Sequence, residues 1–205
     1  MTFPIVAIAS SAGGLEALSE LLEALPSPNG MAFIVVAHLS PEHESLLADL
    51  LAKKTTMAVQ SVSDGVRIRA DRVYVIPPNT TLTVRGEALQ LRARDREHPH
   101  HPADILFTSL AEAHKERAIG IVLSGGDADG SLGAQSVKQH GGLTFAQEPD
   151  SARFPSMPSN AIDTGCIDFV LPPREIAREL GRLRSHAYLR EAIGSHPTRA
   201  ENTLA

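Results

Sequence analysis

Ile5-Val6-Ala7-Ile8-Ala9-Ser10-Ser11-Ala12-Gly13-Gly14 is the stretch on which the reading of the fold turns. An unbroken apolar run of this kind reads as a strand buried on both faces. Two serines and two glycines end it, and Leu15, Leu18, Leu21 and Leu22 follow at helical spacing. The stretch is therefore strand, tight turn and helix. A hydroxyl in such a turn stands at the carboxyl end of a strand, beside the unpaired N–H groups that open the helix. A nucleophile can be exposed there, and negative charge can be stabilised there.

The pattern repeats along the chain. Ala32 to Ala37 reads as a second strand, followed by Ser40 as a helix cap, Pro41 as the first helical residue, and Leu46, Leu47, Leu50 and Leu51 on one helical face. A two-residue period at Val73 and Val75, at Leu82 and Val84, and at Leu89 and Leu91 predicts an antiparallel hairpin added to the core. A helix from Pro102 to Lys115 carries Ile105, Leu106 and Leu110. Ala118 to Leu123 reads as a central strand ending at Ser124-Gly125-Gly126, and the helix after Gly130 stops near His140-Gly141-Gly142. Later strands are expected at 143–146 and 167–171, and a last helix from Pro173 holds Ile176, Leu180 and Leu183. Short apolar runs alternating with amphipathic segments predict an α/β fold, a parallel sheet with helices on both faces. One domain is expected over residues 1–195, with a frayed polar tail over 196–205.

Composition narrows the function. The chain has 205 residues, 42% of them hydrophobic, enough for one sizeable core. Its net charge is -5 and its basic residues are scattered, which argues against nucleic acid as a partner. No apolar stretch is long enough to span a bilayer, and no signal-type segment precedes the first strand. The single cysteine, Cys166, fits a reducing cytoplasm and reads as a small buried residue in a strand-like run.

Three expected strand ends carry polar residues that belong to one chemistry. The first offers Ser10 and Ser11, the second His38, the third Asp127 and Asp129. In an open parallel sheet the carboxyl ends share one edge, where ligands bind. Serine, histidine and aspartate from that edge are the parts of a hydrolytic triad: imidazole takes the serine proton, and the carboxylate holds the ring. The order Ser, His, Asp departs from the usual hydrolase order Ser, Asp, His. Spacing alone leaves two other readings open, a non-catalytic interaction domain and a phosphate-cradling nucleotide module. The second lacks both G-x-G-x-x-G and G-x-x-x-x-G-K-[ST].

The chain resembles the catalytic domain of the chemotaxis protein-glutamate methylesterase family (CheB), over about Pro4 to Leu180. Ile8-Ala9-Ser10-Ser11-Ala12-Gly13-Gly14-Leu15-Glu16-Ala17 is similar to that family's I-G-A-S-x-G-G-x-x-A, Val35-Val36-Ala37-His38-Leu39 to its V-x-Q-H-M/L, and Leu123 to Gly130 to its L-T/S-G-x-G-x-D-G. Val73-Tyr74-Val75-Ile76-Pro77-Pro78 and Phe154-Pro155-Ser156-Met157-Pro158 agree as well. The wording is closest to the branch in which the esterase is fused to a receptor methyltransferase. The resemblance implies a doubly wound, three-layer, Rossmann-like sandwich whose sheet is mostly parallel. It implies Ser11 as nucleophile, His38 as base, Asp129 as orienting carboxylate, and the N–H groups of Ala12 and Gly126 as oxyanion donors. Met157 and Pro158 fall on a family loop near the substrate. The implied activity is hydrolysis of glutamate methyl esters, and deamidation of glutamine, on chemoreceptor helices, with no metal or organic cofactor. A methyltransferase or a receiver domain, fused or in trans, is the other implied partner.

Two departures stand out. Asp127 occupies a family glycine position. It either points to solvent or competes with Asp129 for His38, and the second outcome would leave a catalytically impaired signalling domain. Family members commonly carry a receiver domain before this region, whereas strand one here starts at Ile5, so the expectation is a stand-alone esterase or a piece of a fusion. His98-Pro99-His100-His101-Pro102 could suggest a metal, but no cysteine or paired carboxylate is placed to complete a site, so it reads as a surface loop. His43 and the arginines Arg174, Arg178, Arg182 and Arg184 read as solvated faces.

Overall fold

The structure is a computed structural model, in which residues 3–37, 46–95 and 100–183 are described. The opening apolar run is strand β1 (Ile5–Ser10), buried throughout, and the leucine-spaced segment is helix α1 (Gly14–Ala24). Then come β2 (Ala32–Ala37), α2 (Leu47–Ala52), β3 (Ala58–Ser61) and β4 (Arg72–Val75). A ribbon of β5 (Thr80–Arg85) and β6 (Ala88–Ala93) precedes α3 (Pro102–His114) and β7 (Ala118–Val122). The chain continues through α4 (Ser131–Gln139), β8 (Leu143–Gln147), α5 (Ser156–Asp163), β9 (Phe169–Leu171) and α6 (Pro173–Leu183).

Seven strands form one sheet in the order β3-β4-β2-β1-β7-β8-β9, and every pairing is parallel. The two-residue period of β1 divides its side chains. Val6 and Ile8 face Leu18 and Leu21 of α1, Leu51 of α2 and Leu180 of α6. Ile5, Ala7 and Ala9 join Leu106, Phe107 and Leu110 of α3, Val137 of α4 and Ala161 of α5 on the other face. Three layers result, with the sheet in the middle. From β1 the chain builds outward through β2 to β4 and β3 on one side. It then returns to β7, β8 and β9 on the other. The order therefore reverses between β1 and β7, and the crevice outside the carboxyl ends of strands at such a switch point is where open α/β sheets bind ligands.

Three local expectations are corrected. Val73 and Val75 belong to β4, which pairs parallel with β2 and β3, so the antiparallel ribbon is confined to Thr80–Ala93. An alternating apolar pattern has the same period in both settings, and only the buried Tyr74 between the valines marks a strand covered on both faces. Edge strand β3 has exposed ends and no apolar run, so hydrophobicity does not signal it. On the α2 segment Leu47 and Leu51 are buried but Leu46 is 52% exposed; Ser40 and Pro41 lie outside the described residues. Cys166 is half-buried in the loop before β9 rather than within a strand, and its carbonyl accepts the Thr144 hydroxyl.

Candidate active site

The turn after β1 places its two serines differently. Ser10, the last strand residue, is 2% exposed, and its hydroxyl has no hydrogen-bond partner among the described residues. Ser11 leaves the strand half-buried; its N–H donates to the Ser124 carbonyl (2.9 Å), and its carbonyl accepts the Gly14 N–H (2.9 Å). Gly13 turns the chain into α1 at φ +72°, and a Cβ there would sit 2.8 Å from Ser124 Oγ, so both backbone angle and space demand glycine. No side chain caps α1, and the Ala12 N–H finds no acceptor among the described residues. A helix N-terminus left open in this way favours negative charge.

The turn after β7 is built around Ser124, which is buried. Its N–H donates to Gln147 Oε1 (2.9 Å), its hydroxyl donates to the Ala12 carbonyl (2.8 Å) and its Oγ accepts the Phe154 N–H (3.0 Å). Gly125 follows, donating to the Phe154 carbonyl and accepting the Met157 N–H, each at 3.0 Å. A Cβ on Gly125 would lie 2.3 Å from Met157 Sδ and 3.0 Å from Ser11 Cβ. The Ser11 turn, the β7 turn and the start of α5 are thus stitched together at van der Waals contact. Gly126 is exposed, and its N–H, like that of Ala12, has no acceptor among the described residues.

Asp129 lies in the same β7–α4 loop and is 1% exposed. Its two carboxylate oxygens accept the N–H groups of Ala103 and Asp104, each at 2.9 Å, at the N-terminus of α3. Asp127 is exposed; its Oδ1 accepts the Asp129 N–H (3.1 Å) and its carbonyl accepts the Asn160 amide (2.9 Å). The second carboxylate therefore shapes the loop that carries Asp129. Exposed His101 has a ring nitrogen within 4.8 Å of carboxylate oxygens of Asp104 and Asp129. The fold thus supplies the paired carboxylate that the sequence does not reveal beside the histidine loop, though both carboxylates are already engaged by backbone N–H groups. His38 and His43 lie outside the described residues; β2 ends at Ala37, paired with Ser10 beside the serine turn. Met157 is 2% exposed and Pro158 is buried, both in α5. A cleft of about 460 Å³ borders Gly13 and Ser124 from the α1 side, among Glu16, Glu20, Gln147 and Arg153, but its lining includes neither Ser11 nor Asp129.

The model of the CheB methylesterase domain matches residues 6–180. The chain belongs to the CheB methylesterase family. A relative from Paramagnetospirillum magneticum named protein-glutamate methylesterase/protein-glutamine glutaminase 3 is 34% identical over 178 residues, 86% of this chain and 50% of that one. A Leptospira interrogans protein provisionally named for the same two activities is 29% identical over 185 residues, 89% of this chain and 96% of that one. The crystal structure of the Thermotoga maritima CheB methylesterase catalytic domain superposes with a TM-score of 0.81 at 29% identity, covering 89% of this chain and 100% of that one.

Within this CheB domain, Ser124 bonds to the backbone of Ser11 and Ala12, Gly125 brings the β7 turn against Ser11, and Gly126 and Asp129 follow in the same β7–α4 loop. Three contributors escape a reading of the sequence by motif. Ser124 passes for a strand terminator, though it bonds both turns. Gln147 closes an apolar strand and is 2% exposed, and a buried amide is a signal in itself because it must find partners. Asp104 reads as an ordinary acidic residue in a first helical turn, yet it meets Asp129 from another element.

Proposed function

We propose that this chain hydrolyses methyl esters of glutamate side chains on methyl-accepting chemoreceptor helices, with Ser11 as nucleophile, His38 as base and Asp129 as the orienting carboxylate. The observation that carries the reading is the juxtaposition at the β1/β7 switch point. There the Ser11 turn is bonded to Ser124, a Cβ on Gly125 would come within 3.0 Å of Ser11 Cβ, and the N–H groups of Ala12 and Gly126, next in the chain to Ser11 and Gly125, have no acceptor among the described residues. Family membership and the names of the relatives support the same chemistry.

In the first half-reaction Ser11 Oγ attacks the ester carbonyl carbon while His38 takes its proton. The carbonyl oxygen becomes an oxyanion and accepts hydrogen bonds from the Ala12 and Gly126 N–H groups; loss of one such donor costs about 3 kcal/mol. The tetrahedral intermediate collapses, the C–OCH3 bond breaks, and the imidazolium protonates the departing methoxide to methanol. Water then adds to the acyl-serine with His38 as base, releasing the glutamate carboxylate and restoring Ser11. A glutamine side chain would follow the same path with ammonia as the leaving group. Asp129 stabilises the imidazolium and fixes the ring tautomer. Bonding of Asp127 to the Asp129 backbone supports a competent loop rather than a spoiled one. The single cysteine supports a cytoplasmic setting, and no described helix is long and apolar enough to cross a membrane.

The deciding experiment is release of methanol from a methylated receptor by wild-type protein and Ser11→Ala. The variant should be silent, and undiminished turnover would remove Ser11 from the role.

A further inference from the structure

We infer that Asp104 is a positioning residue for Asp129, holding it in place through a reciprocal cap between helices α3 and α4. The inference rests on the triad reading proposed above and deepens it. Neither helix caps itself: the residues preceding them, His101 and Gly130, make no side-chain cap bond. Each borrows its cap from the other. Asp129, in the loop entering α4, accepts the Ala103 and Asp104 N–H groups of α3. Asp104, in the first turn of α3, accepts with one oxygen the N–H groups of Gly130 (2.9 Å) and Gly133 (2.7 Å) of α4. Four orphan donors are satisfied by two side chains that point past each other.

The two carboxylates have oxygens within 4.8 Å, an arrangement of like charges that two helix N-termini help to offset. The helices have no slack in which to reorganise. A Cβ on Gly133 would lie 2.6 Å from Phe107 Cβ and 3.0 Å from Asp104 Cα. Asp104 is therefore held from both sides, its N–H by Asp129 and its carboxylate by α4. Without that carboxylate the Gly130 and Gly133 N–H groups lose their acceptor, and the loop from Ser124 to Gly130 loses its downstream anchor. Asp129 then loses its fixed aim. Asp104 touches no reacting atom in this scheme.

The test uses the full chain and the variants Asp104→Ala, Asp104→Asn, Asp129→Ala and Ser11→Ala. Three readouts are taken: kcat and KM for methanol release from methylated receptor, the rate of Ser11 labelling by a fluorophosphonate, and Tm. Asp104→Ala should lower kcat and labelling rate together by about ten- to hundredfold, the penalty of a misplaced catalytic group, with KM little changed. Asp104→Asn keeps an acceptor oxygen and should recover most of both rates. Should Asp104→Ala melt below the assay temperature, Asp104→Ser takes its place and should still be slow. Folded Asp104→Ala or Asp104→Ser with wild-type kcat and labelling overturns the inference, as does Asp104→Asn as slow as Asp104→Ala. Wild-type turnover by Ser11→Ala or Asp129→Ala sinks the triad reading instead, so the two failures are told apart.

Discussion

The backbone N–H of Ser11 donates to the carbonyl of Ser124 across 2.9 Å, joining the turns that follow β1 and β7. The bond lies two residues beyond the last β1–β7 pair, Ala9 and Val122, and ties the Ser11 turn to the end of the sheet. Ser124 donates its hydroxyl to the Ala12 carbonyl and thereby ties down the residue that follows Ser11. This one buried serine thus bonds on both sides of the proposed Ala12 donor and stands two residues before the other proposed donor, Gly126.

Ser124→Ala should therefore lower kcat by about tenfold or more with little effect on KM, because donors displaced by a fraction of an ångström still bind substrate but no longer fit the transition state. The unpaired Phe154 N–H and Ala12 carbonyl left behind should cost about 1–3 kcal/mol of stability. Ser124→Thr keeps the hydroxyl and should keep most of the rate. Steady-state kinetics with denaturant melts on both variants check this; equal losses in the two would contradict it.

Met157 is expected from family resemblance to lie at the substrate, yet it is 2% exposed and its sulfur packs over Gly125. Met157→Ala should destabilise the fold by about 2–5 kcal/mol, as loss of a buried side chain does. Met157→Leu conserves volume and should leave KM unchanged. A raised KM in a stable Met157→Leu protein would instead place the side chain against substrate.

The parts of this molecule legible in the sequence are those where one physical requirement dominates. Strands β1, β2 and β7 are covered on both faces, and uninterrupted apolar runs declare them. Gly13 and Gly14 punctuate the turn because a positive φ and a close approach admit nothing larger. The β4 segment is harder, since two valines flanking a tyrosine look the same in a ribbon as in a central strand. The reciprocal cap of Asp104 and Asp129 is invisible in the sequence for another reason: both residues sit where any helix favours an acid, and only the tertiary fold crosses their targets. Ser124 shares that character, for its bonds reach residues 112 and 30 positions away.

Ser10 offers a prediction of opposite sign. Its hydroxyl is buried without a partner among the described residues, and a Cβ on Gly14 would stand 2.7 Å from it. A buried polar group without a hydrogen bond costs about 1–3 kcal/mol, whereas a methyl in the same place costs nothing electrostatically. Ser10→Ala, which restores the family's usual alanine, should leave turnover intact and match or exceed the wild-type stability. Urea titration of the two proteins decides; a clear loss of stability would mean that the hydroxyl is engaged.

His114 makes stability depend on pH. It ends α3 and is 5% exposed, with Nε2 2.8 Å from the carbonyl of Gly86 at the tip of the β5–β6 ribbon. Burial pushes the imidazole pKa below its ordinary value, the nearby Arg117 acts in the same direction, and the Gly86 bond opposes both only in part. The folded form therefore holds neutral His114 as the Nε2–H tautomer. Above about pH 6.5 neither folded nor unfolded chain binds the proton, and the full stability is present. As pH falls below that value the unfolded chain takes up the proton first, so stability declines until the folded pKa is reached. Replacing the residue with glutamine keeps an amide donor for Gly86 and removes the titration. Unfolding free energies of wild-type and His114→Gln, measured from pH 7.5 to pH 5, should diverge below about pH 6.5, with the wild type falling more steeply. Parallel curves would show that the ribbon contact does not sense the charge of His114.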